Sequence, residues 1–250
     1  TNSNNNFYYI NTKSKKKIIN INVLKHIKSI KIPPGYKNVE ISSNINSKVQ
    51  AKGIDNKDRP QYIYNKEYIE NQSEIKFEDL IIFGKKIKRI RKDIQRNIKM
   101  CVNDNSKIQN KECLISLVIF IIDKCNFRVG NEKYKKLYNT YGVTTLNKKH
   151  FEFLKKKLKI QFIGKKGVLN KSNVVNIDVV SIIDKLCYYN FEYIFSYKDN
   201  GIIYRITEKH INDFLKKYHK TLTIKMFRTW ASNYILIKEI LGYPLPANKK

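Results

Sequence analysis

Residues 113–134 read CLISLVIFIIDKCNFRVGNEKY. The stretch Cys113–Ile122 is the longest apolar run in the chain. It is too short to cross a bilayer, which takes about 20 residues. A segment apolar nearly all round predicts a helix over 112–126 at the centre of a core. Immediately after it the chain turns polar and carries Arg128 next to Val129-Gly130. A buried helix would therefore end in a cation-bearing turn.

Upstream, Ile87, Ile90, Ile94, Ile98 and Cys101 recur at helical spacing and predict one apolar stripe. Lys85, Lys88, Arg89, Lys92 and Arg96 fall on the other face, as a solvated or a phosphate-facing surface. Downstream, Leu158–Ile163 alternates as a strand does, Gly164-Lys165-Lys166-Gly167 reads as a tight turn, and 174–177 is predicted to return as the partner strand. Helices are predicted over 178–189, 207–219 and 223–241, with Thr207 and Thr223 as N-caps and Asp199-Asn200-Gly201 as a turn. Before residue 71 the pattern differs. Residues 1–20 read as a flexible lead or an edge strand. Short β-like runs follow, broken at Pro33-Pro34-Gly35, Lys52-Gly53 and Asp55-Asn56, with Gln61–Tyr64 as the best strand. The boundary is placed at Asn71–Glu74. The expected fold is α+β: a small antiparallel β-rich domain over 1–74 and a mainly α-helical domain with a small β-sheet over 75–250.

The chain has 250 residues, 50 Lys+Arg against 21 Asp+Glu, and a formal net charge of +29. Such an excess concentrates polyanions and favours nucleic acid over other partners. A membrane surface is the poorer alternative, because the basic residues are scattered and no strongly amphipathic terminal helix is evident. Lys, Asn, Ile and Tyr are abundant, a composition typical of AT-rich genomes. Only Arg59, Arg89, Arg91, Arg96, Arg128, Arg205 and Arg228 are arginine. Where a point charge would do, Lys suffices, so each Arg hints at a need for fork geometry. Cys101, Cys113, Cys125 and Cys187 form no C-x-x-C pair and read as free thiols in a reducing, intracellular compartment. The four histidines lack metal-ligand spacing, and no phosphate-binding glycine loop or carboxylate cluster is present. No metal or cofactor is expected. The polar, Asn-rich first residues do not predict a secretory leader.

Arg128, Lys165 on the hairpin turn and Arg228 in Phe227-Arg228-Thr229-Trp230-Ala231 can converge on one phosphate. Two guanidinium groups would stabilise the charge of a pentavalent phosphorus. A lysine could supply a proton to a departing oxygen.

The chain resembles the small type IB DNA topoisomerases of poxviruses, giant viruses and some bacteria from about Lys52 onward. The resemblance rests on four blocks in order: Ala51–Asp55 leading into Arg59-Pro60-Gln61-Tyr62-Ile63-Tyr64, Phe127–Tyr134 followed by Tyr141–Leu146, Phe162-Ile163-Gly164-Lys165, and Lys225–Ala231. The resemblance implies a metal- and ATP-independent enzyme that nicks and reseals duplex DNA through a 3′-phosphotyrosyl link. Its fold would be of the tyrosine recombinase and type IB topoisomerase kind. Arg128 and Arg228 would hold the scissile phosphate. Lys165 would be the general acid, and Arg59, Gln61, Tyr62, Tyr64 and Tyr134 would contact DNA. The two domains would close on the duplex as a clamp, and a monomer is expected. The nucleophilic tyrosine is expected beyond Lys250, so residues 1–250 alone are expected to be inactive. Tyr234 reads as core, Tyr243 lies too early, and Pro244-Leu245-Pro246 reads as a linker. The resemblance implies a viral factory or virion if the source is viral, and otherwise a nucleus or nucleoid. The alternatives are a tyrosine recombinase, disfavoured because no His-x-x-Arg box is present, and an inactive DNA-binding clamp.

Overall fold

The computed structural model describes residues 8–155 and 157–242. Its contacts divide the chain into Thr1–Phe77 and Glu78–Lys250, with the division inside one long helix. Both units join helices to small antiparallel sheets, the α+β class that alternation and helical stripes predict.

In the first unit, α1 (Ile21–Ser29) precedes a three-stranded antiparallel sheet of β1 (Lys37–Ile41), β2 (Val49–Ile54) and β3 (Pro60–Tyr64), in that order. Helix α1 lies where the sequence predicts only β-like runs. Asn20 explains it: its side-chain oxygen accepts the N–H groups of Asn22 at 3.0 Å and Val23 at 3.2 Å, which starts a helix. Lys52-Gly53, expected as a turn, lies inside β2, where Lys52 pairs with Tyr62 and Gly53 with Gln61. The turn at Asp55 is present, with the Asp58 N–H bonded to the Asp55 carbonyl at 3.0 Å. Helix α2 (Lys66–Asn103) begins after β3 and runs through residues 71–74 without a break.

The second unit is built on α3 (Lys111–Cys125), in which Cys113 through Ile122 are all buried. The α2 stripe of Ile87, Ile90, Ile94, Ile98 and Cys101 belongs to the same buried core, and Lys85, Lys88, Arg89, Lys92 and Arg96 are exposed. A short helix α4 (Glu132–Tyr138) follows. Then comes the sheet β4 (Phe151–Leu154), β5 (Lys157–Ile163) and β6 (Leu169–Val174). The return strand therefore starts five residues earlier than expected, directly after the hairpin tip, and its register sets Ile163 opposite Leu169. Residue 177 instead opens α5 (Ile177–Tyr188), capped by Asn176. A hairpin of β7 (Ser196–Asp199) and β8 (Ile202–Arg205) turns at Asn200 and Gly201, both with positive φ. Thr207 stands at the N-cap of α6 (Glu208–Lys216), and α7 (Lys225–Gly242) is the last described element.

Two further expectations are corrected. Cys101 on α2 and Cys113 on α3 are disulfide-bonded, with Cα atoms 6.3 Å apart, where four free thiols were expected. The spacing of twelve residues carries no signature, and only the packing of two helices shows them as neighbours. The expectation of a reducing compartment thus keeps only Cys125 and Cys187 as free thiols. Tyr234, expected in the core, is 61% exposed, because α7 buries only its first turn through Phe227. Tyr243 and Pro244-Leu245-Pro246 lie outside the described residues. Among the described residues, no helix is long and apolar enough to cross a membrane.

Candidate active site

Helix α3 ends at Asn126, whose φ of +55° in the left-handed region turns the chain sharply. The turn sends Phe127 back into the core, edge-on to Phe162 of β5 with ring centroids 4.9 Å apart, and leaves Arg128 exposed. Gly130 has φ +97°, and Gly142 is packed flat against it. A Cβ on Gly142 would stand 2.5 Å from the Gly130 Cα and 2.7 Å from the Arg128 carbonyl oxygen, so only glycine fits. The segment after Gly142 then clasps the arginine loop through its backbone. Val143 N–H donates to the Arg128 carbonyl at 2.9 Å, and Thr144 donates its N–H at 2.7 Å and its hydroxyl at 2.9 Å to the Val129 carbonyl.

The same segment reaches the lysine hairpin. Tyr141 N–H donates to the carbonyl of Ile163, the last residue of β5, at 2.8 Å. The tip closes with Gly164 N–H bonded to the Val168 carbonyl at 2.8 Å, and Lys166 and Gly167 take positive φ. Lys165 is exposed there. Among the described residues its side chain has no hydrogen bond or ion pair, and neither has that of Arg128.

Arg228 arrives from α7. One residue before it, Phe227 is buried edge-on to Phe83 at 4.9 Å between centroids. Two residues after it, Trp230 packs on Phe83 and over Gly84, where no Cβ would fit. Anchored on both sides, Arg228 donates Nε–H to the Asn126 carbonyl at 2.8 Å, two residues before Arg128. Partial burial lowers its pKa, and the positive charge of Arg128 lowers it further. The hydrogen bond to Asn126 thus ties Arg228 to the start of the loop that carries Arg128. Nothing anionic among the described residues is paired with either.

That distinguishes them from the other arginines. Arg59 is paired with Asp55 at 2.6 Å, Arg91 with Asp123 at 2.8 Å, Arg96 with Asp93 at 3.0 Å and Arg205 with Glu132 at 3.3 Å. Arg89 lies over the Tyr218 ring, its guanidinium carbon 6.0 Å from the centroid. Four of the seven arginines thus hold the protein's own carboxylates. An adjacent pair of arginines without a carboxylate is a site for an anion with oxygens on more than one side.

In the first unit, Asp55 organises the candidate DNA contacts. Its carboxylate accepts Arg59 Nε–H at 2.9 Å and Gln61 Nε2–H at 2.9 Å, as well as the backbone N–H groups of Lys57 and Arg59. Chiefly the Arg59 guanidinium holds its pKa well below the usual carboxylate range. Tyr62 and Tyr64 are exposed and adjacent, with centroids 6.5 Å apart, but strand alternation sets them on the face opposite Gln61. Tyr134 is exposed in the second unit and stacks on Tyr138 with centroids 6.0 Å apart. The structure thus brings Arg128 and Arg228 together, ties the lysine hairpin to the Arg128 loop through backbone, and divides the remaining candidates among separate places. No sequence signal singles out Asp55, Asn126 or Thr144 for these roles, although Asp55 and Thr144 lie within the segments Ala51–Asp55 and Tyr141–Leu146.

Two family profiles match the chain. One, described as the catalytic core of eukaryotic DNA topoisomerase I, covers residues 65–244. The other, described as the N-terminal domain of bacterial DNA topoisomerase IB, covers residues 6–55. Among curated proteins, the DNA topoisomerase 1B of Acanthamoeba polyphaga mimivirus is 31% identical over 236 residues, 91% of this chain and 68% of that protein. The DNA topoisomerase 1B of Vaccinia virus is 27% identical over 212 residues, 79% of this chain and 60% of that protein. A fungal relative, DNA topoisomerase 1 of Mycosarcoma maydis, is 27% identical over 182 residues, 65% of this chain but 17% of its own length. The chain spans about two thirds of the length of the viral proteins it matches.

Proposed function

The chain belongs to the type IB DNA topoisomerases, and from that membership we propose that it relaxes supercoiled duplex DNA by transient cleavage of one strand. The observation that carries this reading is the pair of carboxylate-free arginines, Arg128 and Arg228, beside the lysine hairpin. Their donors bind the non-bridging oxygens of the scissile phosphate and stabilise the charge that grows on them at the transition state. A tyrosine oxygen attacks phosphorus, the P–O5′ bond breaks, and Lys165 gives its proton to the departing 5′-oxygen. The product is a 3′-phosphotyrosyl link and a free 5′-hydroxyl. The reverse step, attack by that hydroxyl, reseals the strand. One phosphodiester replaces another, so no ATP is consumed, and the cations at the phosphate can do the work that a metal does in other phosphoryl transfers.

The tyrosine is placed C-terminal to α7, as the sequence resemblance implies. Arg59, Gln61, Tyr62, Tyr64 and Tyr134 serve as DNA contacts, the first two held in place by Asp55. The N-terminal and C-terminal units, divided near residue 75, act as the DNA-gripping and phosphate-handling parts. The enzyme works wherever its intracellular DNA lies: a viral factory or virion for a viral chain, a nucleus or nucleoid otherwise.

The test is relaxation of negatively supercoiled plasmid in EDTA without ATP, with the full-length gene product and residues 1–250 side by side. Relaxation by the full-length product alone supports the reading and locates the nucleophile outside residues 1–250. Relaxation by both would move it inside them. Binding without relaxation by either would leave a DNA clamp and remove the enzyme.

A further inference from the structure

Arg205 ends β8 and is held in an enclosed position, its side chain 16% exposed. Its guanidinium carbon lies 5.2 Å from the centroid of the Tyr193 ring. Its two terminal nitrogens point to different partners. Nη2–H donates to Glu132 Oε2 at 3.3 Å, and Nη1–H donates to the Thr144 hydroxyl at 3.3 Å and carbonyl at 3.5 Å.

Those partners flank the Arg128 loop. Thr144 spends its N–H and its hydroxyl on the Val129 carbonyl, while its neighbour Val143 holds the Arg128 carbonyl. Glu132 is the first residue of α4, four residues after Arg128, and also pairs with Lys136 at 3.2 Å. One guanidinium therefore fastens the clasping segment and the far end of the loop at once.

We propose that Arg205 is a positioning residue of the phosphate site: it fixes the backbone from Arg128 to Glu132 so that the Arg128 side chain is presented to the phosphate, without touching the phosphate itself. The proposal rests on the reading above that Arg128 binds the scissile phosphate. It accounts for an arginine kept in a chain that otherwise uses lysine. A planar fork reaches two partners in fixed directions, whereas an ammonium on a flexible stem is a single point charge.

The experiment uses the full-length protein with Arg205→Lys, Arg128→Ala and the double substitution. Glu132→Gln serves as a second, surface variant that weakens one arm of the fork only. Single-turnover cleavage of a duplex and DNA affinity are measured together. Arg205→Lys is expected to slow cleavage roughly tenfold, with affinity changed less than about twofold, since small misplacements of a reacting group cost rate more than binding. In the Arg128→Ala background the same change is expected to cost less than about twofold, the signature of action through Arg128. Glu132→Gln shifts the rate in the same direction by less. Amide hydrogen exchange supplies a readout independent of cleavage. Arg205→Lys should speed exchange of the Val143 and Thr144 amides roughly tenfold while the amides of α3 keep their protection. An equal slowing in both backgrounds, or unchanged exchange at Val143 and Thr144, overturns the proposal. A full-length protein that does not cleave at all refutes the reading of function instead, and the exchange result then still decides whether Arg205 holds the loop.

Discussion

Arg128 and Arg228 have the same side chain as Arg59 and Arg91 but the opposite surroundings. Arg91 places both arms of its fork on Asp123, and Arg59 is occupied by Asp55. Arg228 uses one donor, Nε–H, on a backbone carbonyl, and among the described residues its terminal nitrogens carry no hydrogen bond or ion pair. Arg228→Lys should lower the cleavage rate about 10²- to 10³-fold, because an ammonium lacks the rigid fork that holds the Asn126 carbonyl with one nitrogen and presents two others to phosphate oxygens; single-turnover kinetics on a short duplex read this, and a rate near wild type would remove Arg228 from the site. Lys165→Ala in the full-length chain should slow cleavage about 10²- to 10⁴-fold while DNA affinity stays within a few-fold. A substrate whose 5′-oxygen is replaced by sulphur, a leaving group that needs no proton, should restore much of the rate. Failure of that rescue would reject the general-acid role.

At the scale of elements, the site depends on the close contact of two backbone segments. The Arg128 loop and the Tyr141–Thr145 segment meet at Gly130 and Gly142 with no room for a side chain. Gly142→Ala should destabilise the protein by about 1–3 kcal/mol, the usual cost of overpacking, and should reduce cleavage by more than that loss of stability explains; denaturant unfolding and single-turnover rates on the same preparation separate the two. His150, which precedes β4, adds a pH dependence. It is 7% exposed and packs on Tyr141 with ring centroids 4.4 Å apart. Burial, and then the charge of Lys149, push its pKa down to about 4. An unfolded histidine titrates near 6.5, so the unfolded chain takes up the proton first. Stability should therefore fall as pH drops from about 6.5 towards 4, with no further loss from this group below that. In His150→Gln that slope should shrink; an identical slope in the variant would assign it to other groups.

For the whole molecule, 50 basic residues against 21 acidic ones set the field in which any DNA is met. If six to ten phosphates are neutralised, affinity should fall about 10³- to 10⁵-fold between 50 and 200 mM salt. A shallow slope in a binding titration would mean that most of the lysines reflect composition rather than contact. The exposed cations on α2, from Lys85 to Arg96, are the group to neutralise in that titration.

Local periodicity and local chemistry make part of this fold legible in the residues alone. Cys113–Ile122 reads as a buried helix because the run is longer than most strands and a helix satisfies its backbone groups within itself, while the Ile stripe of α2 and the alternation of β5 follow from the periods of helix and strand. Strand β6 begins earlier than alternation predicts and α1 stands where β-like runs are expected, because a short tip and a single Asn cap are weak signals against β-like composition. The Arg59–Asp55 and Arg96–Asp93 pairs are local, but those of Arg91 and Arg205 depend on tertiary packing. Asp123 lies 32 residues from Arg91, and Glu132 lies 73 residues from Arg205. Nothing local marks such partners. Whether a guanidinium is held by a distant carboxylate is therefore fixed by chain folding, since an ion pair between distant residues forms only once the helices and strands that carry them have packed.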